Sequence, residues 1–210
     1  MSVDRNGAFY FVDRFTPGGS NDSGVRVNQQ VIAGLVTQKV AAELFTFHSS
    51  AGSRHVLFLE FDGHDIKQSA WNDGQATLFQ SAAYSLDNDF LSFSHRARTA
   101  ILEIWLRVAQ DYSPFDVDVT TEDPGKLDPT VRRVLITRNW DLDNRPMPVA
   151  DGANLAYLIV WGSPYFSAYS PGLVYHNQLA DQADTIAISH QLEHTCGLGH
   201  PAQHNGADWN

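Results

Sequence analysis

Cysteine is nearly missing from this chain: its 210 residues hold a single one, Cys196. A disulfide framework and a cysteine-based zinc knuckle both need several thiols, so both are excluded. The lone thiol leaves the redox compartment open, because a secreted domain of this size can fold without bridges. Positive charge is also scarce. Fourteen Lys and Arg stand against twenty-four Asp and Glu, a formal net charge of −10. Such a balance repels phosphate backbones and anionic lipid, so nucleic acid and acidic membranes are not expected partners. Long apolar runs are missing as well. A stretch such as Leu155 to Trp161 is far too short to span a bilayer, and no membrane insertion is expected. The opening Met1-Ser2-Val3-Asp4-Arg5-Asn6-Gly7 lacks the basic and then apolar regions of a signal peptide.

Against these absences stands an ordinary globular balance of 43% hydrophobic and 18% charged residues, which argues against disorder. The length fits one domain, or one domain with an arm. Thr16-Pro17-Gly18-Gly19-Ser20-Asn21-Asp22-Ser23-Gly24 has the composition of a loop. Val27, Val31, Leu35, Val36, Val40 and Leu44 fall roughly on helical spacing, and Ser49 to Ser53 reads as a boundary. The expectation is an N-terminal extension over 1–47 and a main domain over 48–210. Within that domain Val56 to Phe61 predicts a buried strand, ended by Asp62-Gly63. Thr99 to Tyr112 carries an apolar stripe at helical period, with Pro114 just beyond. Val117 and Val119 alternate with Asp116 and Asp118, the pattern of a half-buried strand. Val134 to Thr137 and Leu155 to Trp161 predict two more. Asp184 to Cys196 predicts a helix closed by Gly197. The expected class is α/β in the broad sense (α+β), with the last helix near the C-terminus.

Three of the nine histidines fall in one short window: Ser189-His190-Gln191-Leu192-Glu193-His194-Thr195-Cys196-Gly197-Leu198-Gly199-His200. On a helix, His190 and His194 stand one turn apart on the same face. Two imidazole nitrogens can then reach one tetrahedral Zn²⁺. Gly197 can turn the chain back, so that His200 approaches the same ion from the other side. Three neutral imidazoles leave a fourth position for water, the mark of a catalytic rather than a structural zinc site.

This pattern resembles the zinc signature of the metzincin metallopeptidases, HExxHxxGxxH. The resemblance extends upstream to the reprolysin-like bacterial metzincin domains. Leu59-Glu60-Phe61-Asp62-Gly63-His64 and Ala70-Trp71-Asn72 are similar to segments of those domains. So are Ile104 to Phe115 and Asp116 to Pro124, and coverage runs roughly from Phe47 to His200. The resemblance implies a twisted mixed sheet backed by helices, one catalytic zinc held by His190, His194 and His200, and hydrolysis of peptide bonds in a peptide or protein substrate. It also implies a secreted or extracytoplasmic setting. Leu155-Ala156-Tyr157 resembles the edge strand that pairs with extended substrate in that family.

Two features depart from the family. The glutamate that follows the first histidine is replaced by Gln191. That glutamate takes a proton from the zinc-bound water, and an amide cannot accept one. Losing a general base costs about 10²–10⁴ in rate. A substitute is at hand: Glu193 precedes His194, so the same residues also spell the inverted signature HxxEH. At about 100° per residue, Gln191 and Glu193 flank the mean direction of the two histidines by about 80° on opposite sides. Glu193 is therefore the alternative base, or a carboxylate that orients an imidazole. The second departure is downstream. Metzincins place a methionine turn beneath the zinc, but Met1 and Met147 are the only methionines, and the C-terminal subdomain is expected to be truncated. His204 is the alternative third ligand if the turn differs.

Other residues have plainer readings. Cys196 is expected to be a small buried hydrophobe. Asp141-Leu142-Asp143-Asn144 lacks the glycine and terminal glutamate of a calcium loop, which leaves turn chemistry. Asp62-Gly63-His64-Asp65 reads as punctuation at a strand end rather than a cation site. No GxSxG elbow is present, which argues against a serine hydrolase. The expected function is a zinc-dependent metalloendopeptidase with weakened activity; the alternative is a non-catalytic domain that binds zinc or peptide.

Overall fold

Alternation of side chains along short β-branched runs builds the sheet that organises this protein. The computed structural model describes residues 1–13, 43–74, 76–158 and 160–179. Its strands are β1 (Ser2–Val3), β2 (Phe9–Asp13), β3 (His55–Glu60), β4 (Asp65–Lys67), β5 (Leu78–Gln80), β6 (Val117–Thr120), β7 (Val131–Thr137), β8 (Asn154–Tyr157) and β9 (Gly172–Tyr175). The helix α1 covers His95–Asp111. Seven strands form one sheet in the order β1-β2-β8-β9-β7-β3-β6, while β4 and β5 make a separate antiparallel hairpin. Within the large sheet β6, β3, β7 and β9 run parallel. Strand β8 is antiparallel to β9, and β2 is antiparallel to both β8 and β1. The described residues thus form a mixed α/β fold in which the sheet dominates.

Period two divides the core between the two faces of the sheet. On one face, Leu57 and Leu59 of β3, Val134 and Ile136 of β7 and Val174 of β9 pack against Ile101, Leu102, Ile104 and Val108 of α1. Facing the other way, Leu135, Leu155, Leu173 and Tyr175 meet Ile66 and Phe79 of the hairpin, together with Trp71 and Met147. Helix α1 starts four residues before the expected Thr99, because Ser94 caps it by accepting a hydrogen bond from the Ala97 amide at 3.3 Å. Trp105 on α1 donates to the Val119 carbonyl at 2.9 Å, which ties the helix to β6.

The expected strand over Leu155 to Trp161 is shorter than its composition suggests. Strand β8 ends at Tyr157, and Gly162 carries a φ of 77° a few residues on. The expected extension over 1–47 supplies β1 and β2, which join the sheet of the main domain. Most of the helix expected over 27–47 lies outside the described residues, and so does the helix expected over 184–196. No helix among the described residues is long and apolar enough to cross a membrane.

Candidate functional site

Parallel strands gather polar groups at their carboxyl ends, and this sheet does so at β3, β7 and β9. Strand β9 passes into a 3-10 turn at His176–Gln178, from which the chain continues toward the histidine window. Asn139, just past β7, and Asn177 lock that turn. The Asn139 amide donates to Asn177 Oδ1 at 3.0 Å, and Asn177 Nδ2 donates back to Asn139 Oδ1 at 2.7 Å. His176 packs its ring on Tyr84, with centroids 4.8 Å apart. Burial, with help from the Arg138 charge, pushes its imidazole down to about 4, so it is neutral at pH 7.

The carboxyl end of β3 carries a buried ion pair. Glu60 is only 5% exposed, and its Oε2 lies 3.3 Å from Arg133 Nε. His64 Nδ1 lies 3.3 Å from Glu60 Oε1, and Arg133 Nη1 is 2.8 Å from His64 Nε2. The Arg133 guanidinium also sits over the Phe58 ring, 5.5 Å from its centroid. Asp62 stands nearby, and its carboxyl is raised by desolvation and by the charge of Glu60. Asp62-Gly63-His64 links β3 to β4, which Asp65 opens. Gly63 has a φ of 86°, and a Cβ there would lie 2.7 Å from the Ser81 carbonyl oxygen. Ser81 in turn accepts the His64 amide at 2.7 Å.

A second ionic group lies at β6. His48 bridges two carboxylates, with Nδ1 2.6 Å from Asp118 and Nε2 2.8 Å from Glu122. Burial opposes the imidazolium, but the hydrogen bonds and charges of Glu122 and Asp118 outweigh it and raise its pKa above 6.5. The carboxylates occupy opposite ends of the ring, so the trio does not converge on a point. Among the described residues no group of three or more His, Cys, Asp or Glu is placed to hold a metal ion. The sequence-predicted zinc ligands His190, His194 and His200 lie outside the described residues. Gln191, Glu193, Cys196 and His204 lie outside them as well.

The expected substrate-pairing strand is described. Leu155, Ala156 and Tyr157 form most of β8, but β8 is not an edge. Strand β2 already pairs with it at Tyr10↔Tyr157, Phe11↔Ala156, Val12↔Leu155 and Asp13↔Asn154. The reason is local: Phe9-Tyr10-Phe11-Val12 is a run of β-formers, and its ladder satisfies backbone groups that β8 would otherwise expose. Trp71, in the 3-10 turn Ala70–Asn72, is anchored by its Nε1 donating to the Pro171 carbonyl at 2.8 Å. Its ring packs on Tyr157 at 4.4 Å and on Tyr10 at 5.5 Å. A cavity of about 210 Å³ lies beside this cluster, lined among others by Val3, Asp4, Arg5, Tyr10, Trp71 and Tyr157.

The sequence reading missed β2 and its partnership with β8. The available signal was the β-branched and aromatic run Phe9 to Val12, bounded by Asn6-Gly7 and Pro17-Gly18. In comparisons with known proteins, the chain matches no family model, no curated protein and no solved structure.

Proposed function

We propose that this chain is a zinc peptidase-type domain of metzincin kind, in which His190, His194 and His200 hold the metal and Gln191 replaces the general base. The observation that carries this reading is the spacing His190-x-x-x-His194-x-x-Gly197-x-x-His200. Its donor set of three imidazoles suits zinc. One feature of the fold supports it. Strand β9 ends in the 3-10 turn His176–Gln178 at the carboxyl ends of the parallel strands, where sheets of this kind collect ligands, and the histidine window follows further along the sequence.

Zinc, when bound, supplies Lewis-acid activation of a water and of the scissile carbonyl. The amide of Gln191 can hold a water by hydrogen bonds but cannot remove its proton. Glu193 is the alternative base, from the opposite flank of the histidine pair. Hydrolysis of peptide or protein substrates is accordingly slow, and the setting is extracytoplasmic. A second reading, a domain that binds zinc or peptide without turnover, is favoured by two observations: Gln191 itself, and the strand already lying along β8.

Metal analysis of the purified full chain tests the site. Stoichiometric zinc that is lost in His190→Ala is expected, and a chain that retains no zinc overturns the reading. Peptide cleavage by Gln191→Glu then separates the two forms of the proposal. A gain of about 10²-fold or more marks a disabled enzyme, and no gain marks a binding domain.

A further inference from the structure

Strand β2 is held less firmly than the strand it covers. All four residues of β8 are buried, whereas β2 has none buried and an exposed Phe9. Its outer neighbour β1 has only two residues, and Met1, Val3 and Phe9 leave half or more of their surface in water. Beneath the β1–β2 pair lies the cavity beside Trp71 and Tyr157, so the contact is incompletely packed. Beyond the ladder and the packing of Tyr10 and Val12, the β1–β2 pair is fastened by small contacts. Asn6 Nδ2 donates to Asp73 at 3.2 Å, and the Arg5 guanidinium lies where a Cβ on Gly74 would stand.

The seat for β2 is nevertheless selective. Tyr10 enters an aromatic cradle, its ring 5.5 Å from Trp71 and 5.3 Å from Tyr157. Two residues on, Val12 Cγ1 fills space that a side chain at Gly152 would take, since a Cβ there would lie 2.8 Å away. Alternate residues of an extended strand point to one face, so the seat accepts an aromatic residue followed two places later by a β-branched one. Backbone pairing, such as Leu158 N donating to the Phe9 carbonyl at 3.1 Å, adds affinity that does not depend on side-chain identity.

We propose that the β8 edge is a binding site for extended peptides of the pattern aromatic–x–β-branched, and that residues 9–13 occupy it as a displaceable internal competitor. The proposal deepens the peptide reading above and shares its premise that β8 receives an extended chain. It does not depend on the zinc site.

The test uses the full chain in chelator-containing buffer, with a fluorescent peptide of residues 7–13 as probe and a scrambled peptide as control. Tyr10→Ala/Val12→Ala loosens the resident strand without altering the seat. The apparent affinity of a blocked site scales with the fraction open, so this variant is expected to bind the probe about tenfold or more tighter than wild type. The Leu158 amide should exchange faster in the variant and regain protection when the probe is added. A second variant keeps the reasoning falsifiable if the first does not fold. Phe11→Cys/Ala156→Cys, with Cys196→Ser, places a bridge across a paired position. When oxidised it should refuse the probe, and when reduced it should bind at least as well as wild type. Equal probe binding in the open and bridged forms overturns the proposal. So does binding that the scrambled peptide matches, or a dimer whose formation the probe does not oppose. Because the assay contains chelator, its failure leaves the zinc measurement standing, and loss of zinc leaves the strand competition standing.

Discussion

Arg133→Met removes a largely buried cation, whose guanidinium lies over Phe58, while keeping much of the aliphatic side chain. Glu60 is then left 5% exposed with its principal positive neighbour gone. Removing one partner of a buried pair costs about 3–5 kcal/mol, because the remaining charge has lost both water and counter-ion. The lower end of that range applies here. The Glu60 Oε2 to Arg133 Nε contact of 3.3 Å lacks hydrogen-bond alignment, and neither atom has a hydrogen-bond partner among the described residues. His64 still offers Glu60 a nitrogen at 3.3 Å. We therefore expect a loss of about 3 kcal/mol in urea unfolding at pH 7, read as a lower midpoint with little change in slope. Glu60→Gln should cost less, since Arg133 keeps Asp123 at 3.9 Å and its seat over Phe58. The double variant Glu60→Gln/Arg133→Met should recover at least about 1 kcal/mol relative to the sum of the single losses. Added salt should rescue little of the Arg133→Met loss, because buried pairs are weakly screened. An Arg133→Met loss under about 1 kcal/mol, or strict additivity in the cycle, would refute this account of the β3 terminus.

Two histidines give the stability profile opposite limbs. His176 titrates at about 4 in the folded chain against an ordinary 6.5, so its contribution is present above pH 6.5 and is lost as pH falls toward 4. The loss is at most about 3 kcal/mol, and His176→Phe should flatten that limb in thermal melts collected across pH. His48 behaves in the opposite sense. Its folded pKa is raised, so its contribution is present below pH 6.5 and fades as pH climbs through the raised value; His48→Gln should abolish that decline. Tyr175 donates to the Pro148 carbonyl at 2.6 Å inside the core, and burial pushes its phenol well above its ordinary value. Tyr175→Phe should cost about 1–2 kcal/mol by denaturant unfolding, because it strands that carbonyl. Ile101→Ala, in the fully buried face of α1, should cost about 2–5 kcal/mol in the same assay.

What could be read from the residues depended on how much of each element's pairing was local. Strand β3 announces itself because Val56 to Phe61 is apolar on both faces, as a strand buried in a parallel sheet must be. Helix α1 was legible from its stripe, and only its start moved, since the Ser94 cap precedes the first periodic residue. Strand β9 escaped notice because Gly172-Leu173-Val174-Tyr175 is too short to show a period; its place comes from neighbours β7 and β8, distant in sequence. Strand β2 escaped for a related reason. Phe9 to Asp13 looks like a detached arm until Tyr157, Trp71 and Gly152 are brought beneath it. The histidine window stands at the other extreme. Its spacing is entirely local, so three candidate ligands are legible with no knowledge of the sheet, whereas the pairing of β8 has no local signature. Backbone pairing leaves no residue code, and only the two seats for Tyr10 and Val12 do. The two halves of the proposed peptide site thus differ in kind: side-chain chemistry written in a short motif, and a strand edge written in the topology. On that proposal, the strand edge would grip an extended peptide whichever residue stands at the Gln191 position. For that reason occupancy of the edge by residues 9–13, rather than residual turnover, is the property by which binding should be judged.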